Sequence, residues 1–146
     1  MYEADLDQVL TIEQACFPRG WNRSHFQAEL ASDRATCVVA ELDGMIVGYL
    51  CLTVLLDEAE ILDVAVAPDQ QGRGIGAQLV QWACDEAVRR GACLLLLEVR
   101  ATSQPAIALY ERFGFQQTGL RKAYYEDNID AVLMDKKLMK EDVDAV

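Results

Sequence analysis

The chain is poor in the residues from which many active sites are built. It has one histidine, His25, and its five cysteines, Cys16, Cys37, Cys51, Cys84 and Cys93, include no CxxC pair. No metal site of ordinary spacing can be assembled from these, and a Ser-His-Asp or Cys-His design has no choice of partners. An odd number of cysteines, most of them in apolar stretches, predicts reduced and buried thiols in a cytosolic protein. His25 reads as an exposed or half-buried helix residue. Basic residues are scarce too: 13 Lys and Arg against 24 Asp and Glu give a net charge of −11. That balance argues against nucleic acid and favours a cationic partner, such as an amine or a basic protein segment. No apolar run approaches the ~18 residues of a membrane span. The acidic start, MYEADLDQVL, lacks a signal-peptide pattern.

What is present predicts one globular α/β domain over residues 1–146, with a mixed sheet and helices on both faces. Leu6, Val9, Leu10 and Ile12 recur at helical spacing up to Pro18, and Asn22 can cap a second helix through Ala31. Thr36 to Glu41 and Met45 to Val54 read as a hairpin turned at Asp43-Gly44, and Ala59 to Val66 as a third strand. A helix from Gly74 to Arg90 leads to the aliphatic run Cys93 to Val99, expected to be a central strand covered on both faces. That crossover makes the two strands it joins parallel. A helix from Pro105 to Phe113 and strands over Gln116 to Tyr124 and Ala131 to Lys137 follow. The last nine residues read as a frayed tail.

The most informative segment is Gln71-Gly72-Arg73-Gly74-Ile75-Gly76-Ala77, between a strand and a helix. Glycines there let the backbone turn tightly, and the helix start offers N–H groups to a phosphate or diphosphate. Gly72, Gly74 and Ala77 satisfy the dinucleotide pattern G-x-G-x-x-A, with Glu98 near the ribose-binding distance. Against that reading, Ala67 to Gln71 intervene between strand and first glycine, and too few residues follow Glu98 for a second half-sheet. The other reading is Q-x-x-G-x-G, as Gln71, Gly74 and Gly76, which resembles the acyl-CoA loop of the GNAT N-acetyltransferases.

The resemblance extends along residues 5 to 138. LEVRATSQPAIALYERFGF, Leu97 to Phe115, is similar to the family's second signature. Cys16-Phe17-Pro18, Trp21 and Phe26 to Leu30 resemble the entry helices of the RimI-type subgroup, and Arg121, Tyr124-Tyr125, Asp130-Ala131 and Met134 continue it. The chain departs from the pattern twice. Only Met1 to Ala4 remain for the family's usual first edge strand, and Ser103 stands where the subgroup usually carries Asn at the cofactor. The resemblance implies the GNAT acyl-CoA N-acyltransferase fold, acetyl-CoA as cosubstrate, and transfer to the N-terminal alanine of a small-subunit ribosomal protein. The backbone of Val64, Ala65 and Val66 would line the pantetheine arm, the loop Gln71 to Ala77 would hold the diphosphate, and Ser103 would touch the cofactor.

The chemistry is direct attack of an amine on a thioester. An N-terminal α-amine, with a pKa near ~8, is about one-tenth neutral at pH 7, against about 0.04% for a lysine near ~10.4. A base must still take a proton. Glu98 breaks the apolar run Leu94 to Val99 as its carboxylate, and the resemblance implies that it is that base. Glu60 and Asp63 on the preceding strand are rivals, and an ion pair with Arg100 is the plain alternative for Glu98. Tyr110 matches the family's usual general acid, which protonates the leaving thiolate. Arg100, Arg121 and Tyr125 are candidates to shape a peptide groove. Asp57, Glu58, Glu126, Asp127 and Asp130 are candidates to make it acidic. Acetylation of a small amine or a lysine, and a non-catalytic acyl-CoA-binding module, are the competing functions.

Overall fold

The computed structural model describes residues 1–125 and 127–138. Glu126 and residues 139–146, which make up most of the expected frayed tail, lie outside the described residues. Six strands form one mixed sheet in the order β1-β2-β3-β4-β6-β5, with β1 Ala35–Leu42, β2 Met45–Leu55, β3 Glu58–Val66, β4 Leu94–Arg100, β5 Gln116–Arg121 and β6 Ala131–Lys137. The helices are α1 Leu6–Cys16, α2 Arg23–Ala31, α3 Ile75–Arg89 and α4 Gln104–Arg112. Among the described residues no helix is long and apolar enough to cross a membrane. The chain divides into two compact units, one of Met1–Thr53 and Leu62–Leu79, the other of Val54–Ile61 and the chain from Val80 onward.

In the first unit, α1 buries Leu6, Val9 and Ile12 and ends where Phe17 turns extended before Pro18. Asn22 caps α2 as expected: its side-chain oxygen accepts from His25 N at 3.0 Å, and His25 Nδ1 accepts from Asn22 N at 3.0 Å. Asp43 and Gly44 both take positive φ, the requirement of a two-residue hairpin turn, and Leu42 faces Met45 across it. Phe26, Tyr49 and Cys51 join the α1 residues in one core cluster. The opposite face of β2 is met by α3. A Cβ on Gly48 would stand 3.0 Å from Ala65 O and 3.2 Å from Leu79 Cδ1, so any larger residue would press Ala65 and α3 outward. Helices therefore lie on both faces of β2.

In the second unit, β4 runs parallel to β3, pairing Glu58 with Leu94 through Ile61 with Leu97, and antiparallel to β6. The parallel pair is what the length of the α3 crossover requires. Its burial is one-sided: Leu95, Leu97 and Val99 are buried while Leu94 and Leu96 are half-buried. The expectation of a strand covered on both faces is corrected accordingly. Strand β5 stops at Arg121, short of Tyr124, because Ala123 takes φ 51 and its N–H donates to Asp130 Oδ1 at 2.8 Å, turning the chain. Cys93 precedes β4 and is exposed rather than buried. Leu138, expected in the tail, is buried, and its N–H donates to Cys93 O at 2.8 Å.

Candidate active site

The first unit holds the glycine loop. Gly72 and Gly74 both have φ +81, and a Cβ at either would meet nothing within 4 Å. The sign of φ favours glycine there, and the space over the turn is open. Gln78 N donates to Gly74 O at 3.1 Å, which starts the hydrogen-bond ladder of α3. The N–H groups before Gln78 thus lie in the first turn, where no intrahelical acceptor exists. Gln71 Nε2 donates to Val66 O at 3.1 Å and ties the loop to the end of β3. Arg73 is exposed, while Ile75, Gly76 and Ala77 are half-buried as the helix begins. An open turn of donors beside a cation fits the diphosphate of an acyl-CoA. In β3, Ala65 is buried and Val64 and Val66 are half-buried.

The same unit contains a buried acidic cluster that the sequence reading missed. Glu13 on α1 is only 2% exposed. Its Oε2 accepts from Trp21 N at 2.8 Å, and its Oε1 accepts from the Tyr49 hydroxyl. Asp63 on β3 is buried against it. Burial above all, then the hydrogen bond and charge of Glu13, push the Asp63 carboxyl up to about 9, although the Val64 N–H opposes the shift. Asp63 therefore carries a proton at neutral pH and is no base there. The Tyr49 hydroxyl is pushed far up by burial, with Asp63 and Glu13 adding to it. A Cβ on Gly20 would lie 2.6 Å from Glu13 Oε2, so glycine lets the chain pass close over the cluster. The signal was present in the spacing of Val9, Glu13 and Cys16, which puts the carboxylate on the apolar face of α1.

The second unit carries the open carboxylates. Glu98 projects from β4 on its less covered face, with a side chain 31% exposed, and its Oε1 lies 3.5 Å from Arg121 Nη2. The partner is Arg121, not Arg100. Glu60 on β3 pairs in register with Leu96, two residues before Glu98 on the same face. Its carboxyl is raised by burial and by the charge of Glu98, while Arg121 lowers it. Arg100 instead bonds Asp127 Oδ2 at 2.8 Å and lies 4.3 Å from the centre of the Tyr125 ring, while Arg121 stands 5.2 Å from that of Tyr124. The expected groove residues Arg100, Arg121 and Tyr125 are thus brought together with Glu98. The acidic candidates are partly committed elsewhere: Asp127 to Arg100, Asp130 to the turn at Ala123. Tyr110 on α4 is 6% exposed and packs edge-on against Phe115 at 5.8 Å. Ser103 is the N-cap of α4, with no side-chain capping bond, and Pro105 lies in the helix's first turn, as expected.

A model of the Acetyltransferase (GNAT) family matches residues 6–115. The chain belongs to the GNAT acetyltransferase family. It is 35% identical over 133 residues to the ribosomal protein bS18-alanine N-acetyltransferase of Escherichia coli strain K12, covering 89% of each chain. The crystal structure of the ribosomal-protein-S18-alanine N-acetyltransferase from Escherichia coli superposes with a TM-score of 0.87 at 33% identity, covering 94% of this chain and 90% of that one. Naa20 of Chaetomium thermophilum, solved with a bisubstrate analogue, gives a TM-score of 0.84 at 26% identity, covering 99% and 87%. This GNAT protein is an acetyl-CoA-dependent N-acetyltransferase. Among the described residues no cluster could hold a metal ion.

Proposed function

We propose that the chain transfers acetyl from acetyl-CoA to the N-terminal α-amine, alanine first, of a basic small-subunit ribosomal protein. The observation that carries this reading is Glu98, a partly exposed carboxylate that interrupts an apolar strand and faces Arg121 at 3.5 Å. Acetyl-CoA supplies an activated acyl group. Backbone amides of Gly72, Arg73, Gly74, Ile75, Gly76 and Ala77 hold its diphosphate, helped by the Arg73 charge, and Gln71 fixes the loop. Main-chain groups of Val64, Ala65 and Val66 line the pantetheine arm, and Ser103 makes a polar contact where the subgroup's Asn would stand. Glu98 removes a proton from the ammonium, directly or through water, and Tyr110 protonates the departing sulfur. Arg121 and Arg100, laid over Tyr124 and Tyr125, shape the peptide groove.

An α-amine suits such a site because it needs less deprotonation than a lysine. The names of the bacterial relatives support the ribosomal acceptor. Glu60 is the alternative base, favoured by its raised carboxyl beside Glu98. Asp63 is withdrawn from that role by its burial against Glu13. A screen of acceptor peptides with acetyl-CoA, read by mass spectrometry, tests the proposal. An Ala-started basic peptide acetylated at its N-terminus is the expected product. Acetylation only at lysine side chains, or binding of acetyl-CoA without turnover of any amine, would overturn it.

A further inference from the structure

We propose that Cys37 and Cys51 form a redox-modifiable dithiol, closing to an internal disulfide when the folded protein meets a peroxide. The two residues stand directly opposite each other in the antiparallel register of β1 and β2. They therefore point to the same face of the sheet, and both belong to the core cluster beneath α1 and α2. Opposed residues in such a ladder have Cα atoms about 4.5–5.5 Å apart, inside the ~4.4–6.8 Å that a disulfide spans. Bond formation then needs side-chain rotation and no change of strand register. The remaining cysteines have no such geometry: Cys16 and Cys84 lie on helices, and Cys93 precedes β4.

The pair is chemically unequal. A hydrogen bond from the Cys51 thiol holds Cys37 below the usual thiol range, aided by the nearby N-terminal ammonium and opposed by burial and by Glu29. Cys51 is pushed up, first by that same hydrogen bond and then by burial, with the charges of Cys37, Asp63 and Glu29 adding to it. Cys37 is also the slightly exposed member, at 9% against 0% for Cys51. Cys37 is thereby the thiol that ionises more readily, beside a resolving thiol that ionises less readily, as is usual in a redox-responsive pair. Cys37 sulfur attacks the peroxide, the O–O bond breaks, and an alcohol or water leaves with a proton from the medium. Cys51 sulfur then displaces the hydroxyl from Cys37, the S–O bond breaks, and the Cys51 proton leaves in the second molecule of water. The two thiols lose two electrons and the peroxide gains them.

The test treats the folded full-length chain with hydrogen peroxide, then unfolds it, alkylates every remaining thiol and maps the peptides by mass spectrometry. The expected result is a Cys37–Cys51 cross-linked peptide, a loss of about 2 Da and full reversal by dithiothreitol, with Cys84 still alkylated. Cys37→Ser and Cys51→Ser should each abolish the cross-link. Should either variant fail to fold, the wild-type map decides alone. Free Cys37 and Cys51 at doses that fully oxidise the exposed Cys93 would overturn the proposal. So would a cross-link that forms only in denaturant.

Discussion

Two carboxyl pairs, one in each unit, show how surroundings assign different work to the same functional group. In the first unit Glu13 and Asp63 are sealed among α1, β2 and β3, and Asp63 holds a proton. Its neutral form avoids placing a charge in a dry interior. In the second unit Glu60 and Glu98 lie on the less covered face of the sheet, with Arg121 as counter-charge. The buried pair is matched to holding backbone and hydroxyl donors in place. The open pair is accessible to solvent, and in the proposed function it exchanges protons with an incoming amine.

Substitution at either pair should affect one property and spare the other. Glu98→Gln should lower kcat by about 10²–10⁴-fold and shift folding stability by under about 0.5 kcal/mol, as steady-state kinetics and urea unfolding would show. Glu13→Ala should do the reverse. It strands the Trp21 N–H and the Tyr49 hydroxyl and should cost about 3 kcal/mol in denaturant unfolding. Tyr110→Phe should lower kcat roughly tenfold to a hundredfold, with acetyl-CoA affinity by calorimetry largely intact.

Asp63→Asn should remove a pH dependence that belongs to the buried pair. The folded carboxyl titrates at about 9, above its usual 3.8, so the native state binds the extra proton between those values. The wild type therefore loses stability as pH rises from about 4 to about 9, and the loss levels off above that. The amide keeps a donor toward Glu13 without titrating. Its unfolding free energy relative to the wild type's should rise across this window, by at least about 1 kcal/mol between pH 4 and pH 8 in urea unfolding. The smallest effect is expected from Arg121→Gln. Its partly exposed pair with Glu98 is worth about 0–1 kcal/mol, so peptide KM should change more than the melting curve does.

Much of the fold was legible because local signals agreed with the tertiary outcome. The Asn22 cap, the Asp43-Gly44 turn and the crossover between β3 and β4 all followed from residues in their own neighbourhood. The Gln71 to Ala77 loop was legible for a related reason: positive φ at Gly72 and Gly74 is a local demand. Glu98 stood out because a carboxylate interrupts an aliphatic strand. Glu13 did not, because a lone carboxylate in a helix ordinarily faces water, and its partners Tyr49 and Asp63 are distant in sequence. The early end of β5 escaped for the same cause, since it depends on Asp130 reaching back to Ala123. The burial of Leu138 likewise depends on a bond to Cys93 that no local pattern announces.

The division of labour between the two pairs meets its most direct test in single-turnover acetyl transfer to an Ala-started basic peptide at saturating acetyl-CoA, with Glu98→Gln and Asp63→Asn measured side by side. The expected result is at least a hundredfold loss for Glu98→Gln, in line with removal of a general base, and a wild-type rate for Asp63→Asn. A wild-type rate in Glu98→Gln, or a comparable loss in Asp63→Asn, would contradict it.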